Sequence, residues 1–318
     1  MEKAEGHLSR VHDFLPEFDD HSIKHSHAVL DYIARIIGEE GIKKLSVYDL
    51  FILSASAYLH DFGMALTDYG KKVLEKAEEK PLPVAIDGID ECVKLVESHF
   101  GDRFEDALQI KFLPHKEGEL KVFLARLYQE YQTFRNGYTE RYGKLMEEVD
   151  EKKKQEKLNK LNKNIRMDFI RETHPKRSEQ YAQNWGSEFE DENPIISAIM
   201  NDVAKVVRSH GESFDYVKKL GIEVPYAAID DEEDSDKANL QFASMMLRLG
   251  DIVHFTFDRA PVSLRREIIF DSSYSKEQWM QKHSVTNKVT KSAEQTKIVF
   301  NAKCPSPRSY CYLKKYIG

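Results

Sequence analysis

An all-α fold, with a long helical insertion and a short β-containing C-terminal appendage, is what the sequence predicts, and three observations predict it. Apolar side chains recur at the helical period in three separated segments, residues 22–37, 195–210 and 238–251. A charged stretch ending in EEVDEKKKQEKLNKLNKNI has the composition of a solvated helix face. Period-two alternation is confined to the tail, in VSLRREIIF and TKIVF, and predicts a few short strands, with turn residues in CPSPRSY.

The elements follow in order. In SIKHSHAVLDYIARII the apolar residues at 23, 29, 30, 33, 36 and 37 share one helical face, and His25 lies at its start. A second helix is expected from Ser46 to about His60, with Asp49 in its first turn and Gly63 just past its end. It is apolar nearly all round, so it belongs at the centre of the core. From about Thr67 to Asn164 the character changes to a Pro-bounded stretch (PLPVAIDGID), a helix candidate from Cys92 to Phe100, and the long charged helical region. Tyr128, Tyr131, Phe134, Tyr138 and Tyr142 keep spacings of three and four, which reads as the packing stripe of one helix. The core pattern resumes with Ile195, Ile196, Ile199, Met200, Val203, Val206 and Val207, whose face continues to His210. Leu240, Ala243 and Leu247 make a further such face, which continues to Asp251.

A chain of 318 residues can bury a large core, as one domain or as one domain with a substantial insertion. With 32% charged and 41% hydrophobic residues it has a globular composition, and no apolar stretch is expected to approach the roughly 18 residues that span a bilayer. No membrane partner is expected. Cys92, Cys304 and Cys311 form an odd set without CxxC spacing, which fits reduced thiols and a cytoplasmic location. A net charge of -7 argues against a general nucleic-acid coat and leaves room for a local basic groove.

The chemistry concentrates at His60-Asp61, which closes the apolar run LFILSASAYLHDFGM. An ionisable pair in such a setting must be hydrogen-bonded, charge-paired or metal-bound, because an unpartnered buried charge costs many kcal/mol. His25, His174, His210 and Asp251 each stand where a helix should bury an apolar side chain or where a helix ends. Four imidazoles and two carboxylates make a mixed N/O donor set suited to first-row divalent metals, so the chain reads as a metal-dependent hydrolase.

KHSHAVLDYIARI resembles the opening HSxxV helix, and YLHDFGM the signature pair, of the HD superfamily of metal-dependent phosphohydrolases. RETHPKRSEQY, VVRSHGESF and LRLGDIVHFTFDRAP resemble its later ligand-bearing segments, and the RxTHxKRS and LRLGD...DRAP forms are closest to the HD-CE branch. Members of that branch are often joined to an ATPase module of the Hsp90 type. The resemblance covers roughly residues 18–66 and 165–262. It implies an HD-type helical core over 1–66 and 165–262, a helical insertion over 67–164 where a substrate lid would be, and an appendage over 263–318 that a larger parent chain could continue. It further implies that His25, His60, Asp61 and Asp251 hold one divalent ion, while His174 and His210 join Asp61 around a second. The ions would be one or two of Mn, Fe, Ni, Zn or Mg. Two departures stand out. Met64 occupies the place where many relatives carry a lysine, and Pro175 directly after His174 puts that histidine at an expected helix boundary.

The implied activity is hydrolysis of a phosphate ester, with a nucleotide as expected substrate and a metal-activated water as nucleophile. Arg171, Lys176, Arg177, Arg248 and Arg259 lie within a few residues of the proposed ligands and could neutralise phosphoryl charge. Arg177, Arg259 and Asp61 are taken as the catalytic set. Two alternatives remain: an HD-type nuclease on single-stranded DNA or RNA, which needs a groove open at both ends, and a nucleotide-sensing module of a larger Hsp90-type ATPase-linked protein. The acidic run AAIDDEEDSD at 227–236 opposes a long polyanion and favours a mononucleotide or dinucleotide. A homo-oligomer is left open. His21, one turn before His25, is read as a capping or surface residue that could share His25's face, and His254 is left as a surface or core histidine.

Overall fold

The computed structural model describes residues 2–18, 21–226, 237–256, 259–260, 268–270, 273–292, 295–304 and 306–317. It is 67% helical with few short strands, an all-α fold with a small β-containing C-terminal part. The acidic run 227–236, and most of VSLRREIIF, lie outside the described residues. The chain divides into two compact units, Met1–Ala65 with Pro175–Gly318, and Leu66–His174.

Four helices form the heart of the first unit, and each begins where a side chain satisfies its free N–H groups. Ile23–Ile37 starts at Ser22, whose hydroxyl accepts from the Lys24 N–H, and stops at Gly38, with φ 73°. Val47–Leu59 starts in a reciprocal capping box of Ser46 and Asp49. Pro194–Ser209 is capped by Asn193 and Leu240–Val253 by Asn239. Asp49 also accepts from the Asn239 N–H at 2.8 Å, tying the starts of two helices together. Val29, Ile33, Ile52, Ala57, Val203, Val207, Ala243 and Leu247 are buried on the faces of these helices, which pack on one another. At Gly250 a Cβ would come within 2.8 Å of Ile33 Cγ1 and 2.9 Å of the Val29 carbonyl. The helix that carries Asp251 therefore approaches the His25 helix with bare backbone.

After these helices come a helix Ser273–His283, an antiparallel hairpin of Val285–Lys291 with Thr296–Ala302, and a helix Pro307–Ile317. CPSPRSY, expected to turn, instead opens that last helix, because Pro307 stands at its first position, where a missing N–H is no loss. The hairpin fastens onto the C-terminal ends of two core helices. Lys291 Nζ donates to the Ile37 carbonyl and Thr296 Oγ1 to that of Ile36 at 3.3 Å. Asn287 Nδ2 donates to the Val253 carbonyl, while the Tyr32 hydroxyl donates to Asn287 Oδ1 at 3.3 Å. These carbonyls have no partner within their own helices.

The second unit is helical throughout its regular elements. Glu78, ending the helix Asp68–Glu78, accepts from the Tyr131 hydroxyl at 2.7 Å and from Arg166 Nε and Nη2 at 3.0 and 2.6 Å. Arg135 donates to the Ala77 and Lys80 carbonyls at the same helix end. The aromatic series does not run on one helix: Tyr128, Tyr131 and Phe134 belong to Glu117–Asn136, which stops at Gly137, and Tyr142 to Thr139–Met146, with Tyr138 as its N-cap.

One stretch, Val47–Glu78, is long and apolar enough by length and composition to cross a membrane, against the expectation that none would approach that length. Of its apolar window 72% is buried within the protein, and a turn at Asp61–Met64 interrupts it, so it has the character of a core helix.

The N-terminal helix Glu2–Leu8 lays His7 against Phe62, with ring centroids 4.3 Å apart and Nε2 donating to the Phe62 carbonyl at 3.0 Å. Burial, only partly offset by that carbonyl, lowers the imidazole from 6.5 to about 4. The folded state thus stays neutral where the unfolded chain takes up a proton. The resulting stability is complete above about pH 6.5 and is lost as pH falls towards about 4. In urea titrations at pH 7.5 and pH 5, the wild type should lose about 2 kcal/mol more than His7→Leu. Equal losses would show that His7 does not carry this pH dependence.

Candidate metal centre

Three helix ends and one helix start deliver the donor atoms. His25 sits in the first turn of its helix, and Ser22 fixes that turn. His60 is the C-cap of Val47–Leu59, and Asp61 follows with φ -95° and ψ 6°, in the sparsely populated bridge region. Asp251 lies in the last turn of Leu240–Val253 and His210 caps Pro194–Ser209. His25 Nε2 stands 3.0 Å from His60 Nε2, 3.2 Å from Asp61 Oδ2 and 3.3 Å from Asp251 Oδ1, and His60 Nε2 is 3.3 Å from Asp61 Oδ2. The His60 and His210 rings meet edge-on at 5.4 Å.

The spacing of His25, His60 and Asp61 fits a divalent ion. Donors about 2.1 Å from a shared centre lie about 3.0 Å apart at right angles and about 3.4 Å apart in a tetrahedron. His25, His60 and Asp61 are buried and form a group that could hold a metal. Burial opposes charge on His60, but the Asp61 carboxylate outweighs it, so the imidazole's pKa is raised. Burial would also raise the Asp251 carboxyl, yet the neighbouring His25 imidazole and the Arg259 guanidinium hold it well below the usual carboxylate range.

The ring nitrogens facing away from the centre select the tautomer. Nδ1 of His60 donates to the Ala57 carbonyl at 2.9 Å, Nδ1 of His174 to that of Arg171 at 2.6 Å, and Nδ1 of His210 to that of Val207. In each case the acceptor lies three residues upstream and Nε2 keeps its lone pair. His174 corrects the expectation drawn from Pro175, because both lie inside the helix Glu151–Ser187. Proline has no N–H for the carbonyl four residues before it, which is that of Arg171, and the His174 ring supplies the missing donor. His174 is the last residue of the second unit.

The family model HD-CE matches residues 15–317. The chain belongs to the HD-CE family. No curated protein and no solved structure matches it.

Around the HD-CE pair His60-Asp61, several residues serve that sequence reasoning did not assign. Ser178 Oγ accepts from the Gly63 N–H at 2.7 Å and donates to the His60 carbonyl at 2.8 Å, bracing the turn that carries His60 and Asp61. Arg177, taken from sequence as catalytic, is buried with Nε donating to the Gly63 carbonyl at 3.0 Å. Arg248 Nη1 donates to the Ser209 and Glu212 carbonyls, both at 2.7 Å, beside His210. Arg171 pairs with Asp168 at 2.6 Å and Lys176 is exposed. Arg259 reaches the cluster itself, with Nη1 3.1 Å from Asp251 Oδ1 and Nη2 donating to His21 Nε2 at 3.0 Å. That nitrogen lies 4.0 Å from Asp61 Oδ2, so His21 belongs to the site, as its spacing of one turn before His25 allowed. His254 is the other addition: its Nδ1 lies 2.7 Å from Nδ1 of His25.

Because both hydrogen bonds of Ser178 are buried, Ser178→Ala should destabilise the fold by about 1–3 kcal/mol. Thermal melts of the metal-free protein test this. An unchanged midpoint would show that other contacts hold the HD turn.

Proposed function

We propose that this HD-CE protein is a metal-dependent phosphohydrolase that cleaves a phosphate ester of a nucleotide. The observation that supports it is the buried trio His25, His60 and Asp61, with His25 Nε2 3.0 Å from His60 Nε2 and 3.2 Å from Asp61 Oδ2, and with Asp251 Oδ1 3.3 Å from His25 Nε2. In this reading those four hold one ion, and His174 and His210 join Asp61 about a second.

A bound divalent ion would lower the pKa of its water from 15.7 towards about 7. The protein's own residues do the rest. His60 offers a neutral lone pair because its Nδ1–H is held by a carbonyl, and Asp61 brings negative charge without a long flexible arm. Arg259, between Asp251 and His21, is placed to neutralise a phosphoryl oxygen. Arg177 braces the HD turn through its bond to the Gly63 carbonyl.

The test is a screen of nucleoside phosphates, cyclic dinucleotides and labelled single-stranded DNA and RNA, each with Mn²⁺, Ni²⁺, Zn²⁺ or Mg²⁺. Turnover of a nucleotide that falls to background in His60→Ala/Asp61→Ala is the expected result. Strand cutting without nucleotide turnover would move the assignment to nuclease. Ligand binding with no turnover under any metal would favour a sensing module.

A further inference from the structure

We propose that His254 is a positioning residue for His25, holding that ligand in the one tautomer that can bind a metal. The inference rests on the metal reading above. The other three histidines of the proposed ligand set anchor Nδ1–H on a backbone carbonyl three residues upstream. His25 cannot do so, because it lies in the first turn of its helix, where the chain upstream is not yet helical. Its Nδ1 meets an imidazole nitrogen instead, Nδ1 of His254, at 2.7 Å.

Two imidazole nitrogens at that distance share one proton, and its location has a consequence. If it sits on His25 Nδ1, then His25 Nε2 is a bare lone pair aimed at His60 Nε2 and the two carboxylates. If it sits on His254, a neutral His25 carries its proton on Nε2, where it blocks coordination. His254 acts as the required acceptor only when its own proton is on Nε2. The fold restricts the ring: His254 is the C-cap of the Asp251 helix, is buried, and stacks on His25 with centroids 5.0 Å apart and planes inclined by 14°. The Val253 carbonyl just before it is held by Asn287 of the hairpin. Asp251 and His254 thus come from one helical turn, one as ligand and the other as the partner that prepares a second ligand. Partners of this kind set ring orientation and ligand basicity, and their loss typically weakens metal binding by about 10–100-fold.

The experiment measures Mn²⁺ and Zn²⁺ affinity of the full chain by competition with a chromophoric chelator, in wild type, His254→Phe and His254→Asn. Phenylalanine keeps the stacked ring and removes the acceptor; asparagine restores an acceptor atom on the same carbon as the lost Nδ1. Expected is a loss of about 10–100-fold in His254→Phe and recovery of most of it in His254→Asn, with metal-free melting curves confirming that both variants fold. Nitrogen-15 correlation spectra of the Zn²⁺-loaded wild type should show His25 protonated at Nδ1 and His254 at Nε2. A wild type that binds neither ion overturns the metal reading and this inference with it. A wild type that binds, together with a His254→Phe of the same affinity, or with the opposite tautomers if that variant does not fold, overturns the positioning role alone.

Discussion

Electron-rich atoms brought together beside the guanidinium of Arg259 set the terms for this fold. His25 Nε2 comes within 3.0–3.3 Å of the His60 Nε2, Asp61 Oδ2 and Asp251 Oδ1 atoms, and His60 Nε2 lies 3.3 Å from Asp61 Oδ2, in a largely buried site. Lone pairs at that range repel unless a proton or a metal ion lies among them, and desolvated carboxylates add several kcal/mol each to the cost. A fold can hold such a cluster only if its backbone is rigid where the donors attach. The caps at Ser22, Ser46 and Asn239, the bare backbone at Gly250 and the Ser178 brace all lie within reach of that requirement. The hairpin adds to it by closing the carbonyl ends of the two helices that carry His25 and Asp251.

Helix ends are where this chemistry is easiest to build. The last carbonyls of a helix lack intrahelical donors, and an imidazole at that point can supply one. His60 and His210 do so, and the same bond that satisfies the carbonyl places the proton on Nδ1 and leaves Nε2 as the lone-pair nitrogen. His174 reaches the same arrangement inside a long helix. Pro175 removes the donor that the Arg171 carbonyl would have had, creating a helix end in miniature, and the histidine fills it. A His-Pro pair that looks like a helix stop is therefore a way to orient a ring in mid-helix.

These relations explain what the sequence revealed and what it withheld. The helices of the core and the positions of His25, His60, Asp61, His210 and Asp251 were legible because each helical face is regular until a polar residue interrupts it. His254 was not legible, since its partner is 229 positions away and no local period connects them. Ser178 was hidden for a similar reason: its two bonds join it to a turn 115 or more residues upstream. Gly137, which splits the aromatic stripe between two helices, and Pro175 show local rules failing in opposite directions. At Gly137 a regular side-chain period runs across a broken backbone. At Pro175 an unbroken helix runs across a residue that ordinarily ends one, because a side chain replaces the lost bond.

The cations near the site divide by what they touch, and the division bears on the substrate. Arg177 and Arg248 direct donors at backbone carbonyls of Gly63, Ser209 and Glu212, so those donors stabilise the turns beside Asp61 and His210. Arg259 instead engages side chains of the cluster, Asp251 and His21. With neutral imidazoles, the two carboxylates and Arg259 leave the site with one net negative charge. A single divalent ion turns that into one net positive charge, and a second ion raises it further. Such a centre, if loaded as proposed, would draw an anion inward and would favour a compact, multiply charged group close to the ions. On the phosphohydrolase reading proposed above, a terminal or bridging phosphate of a nucleotide would meet that description with few cations beyond Arg259. A long strand would need basic groups spread along its length as well.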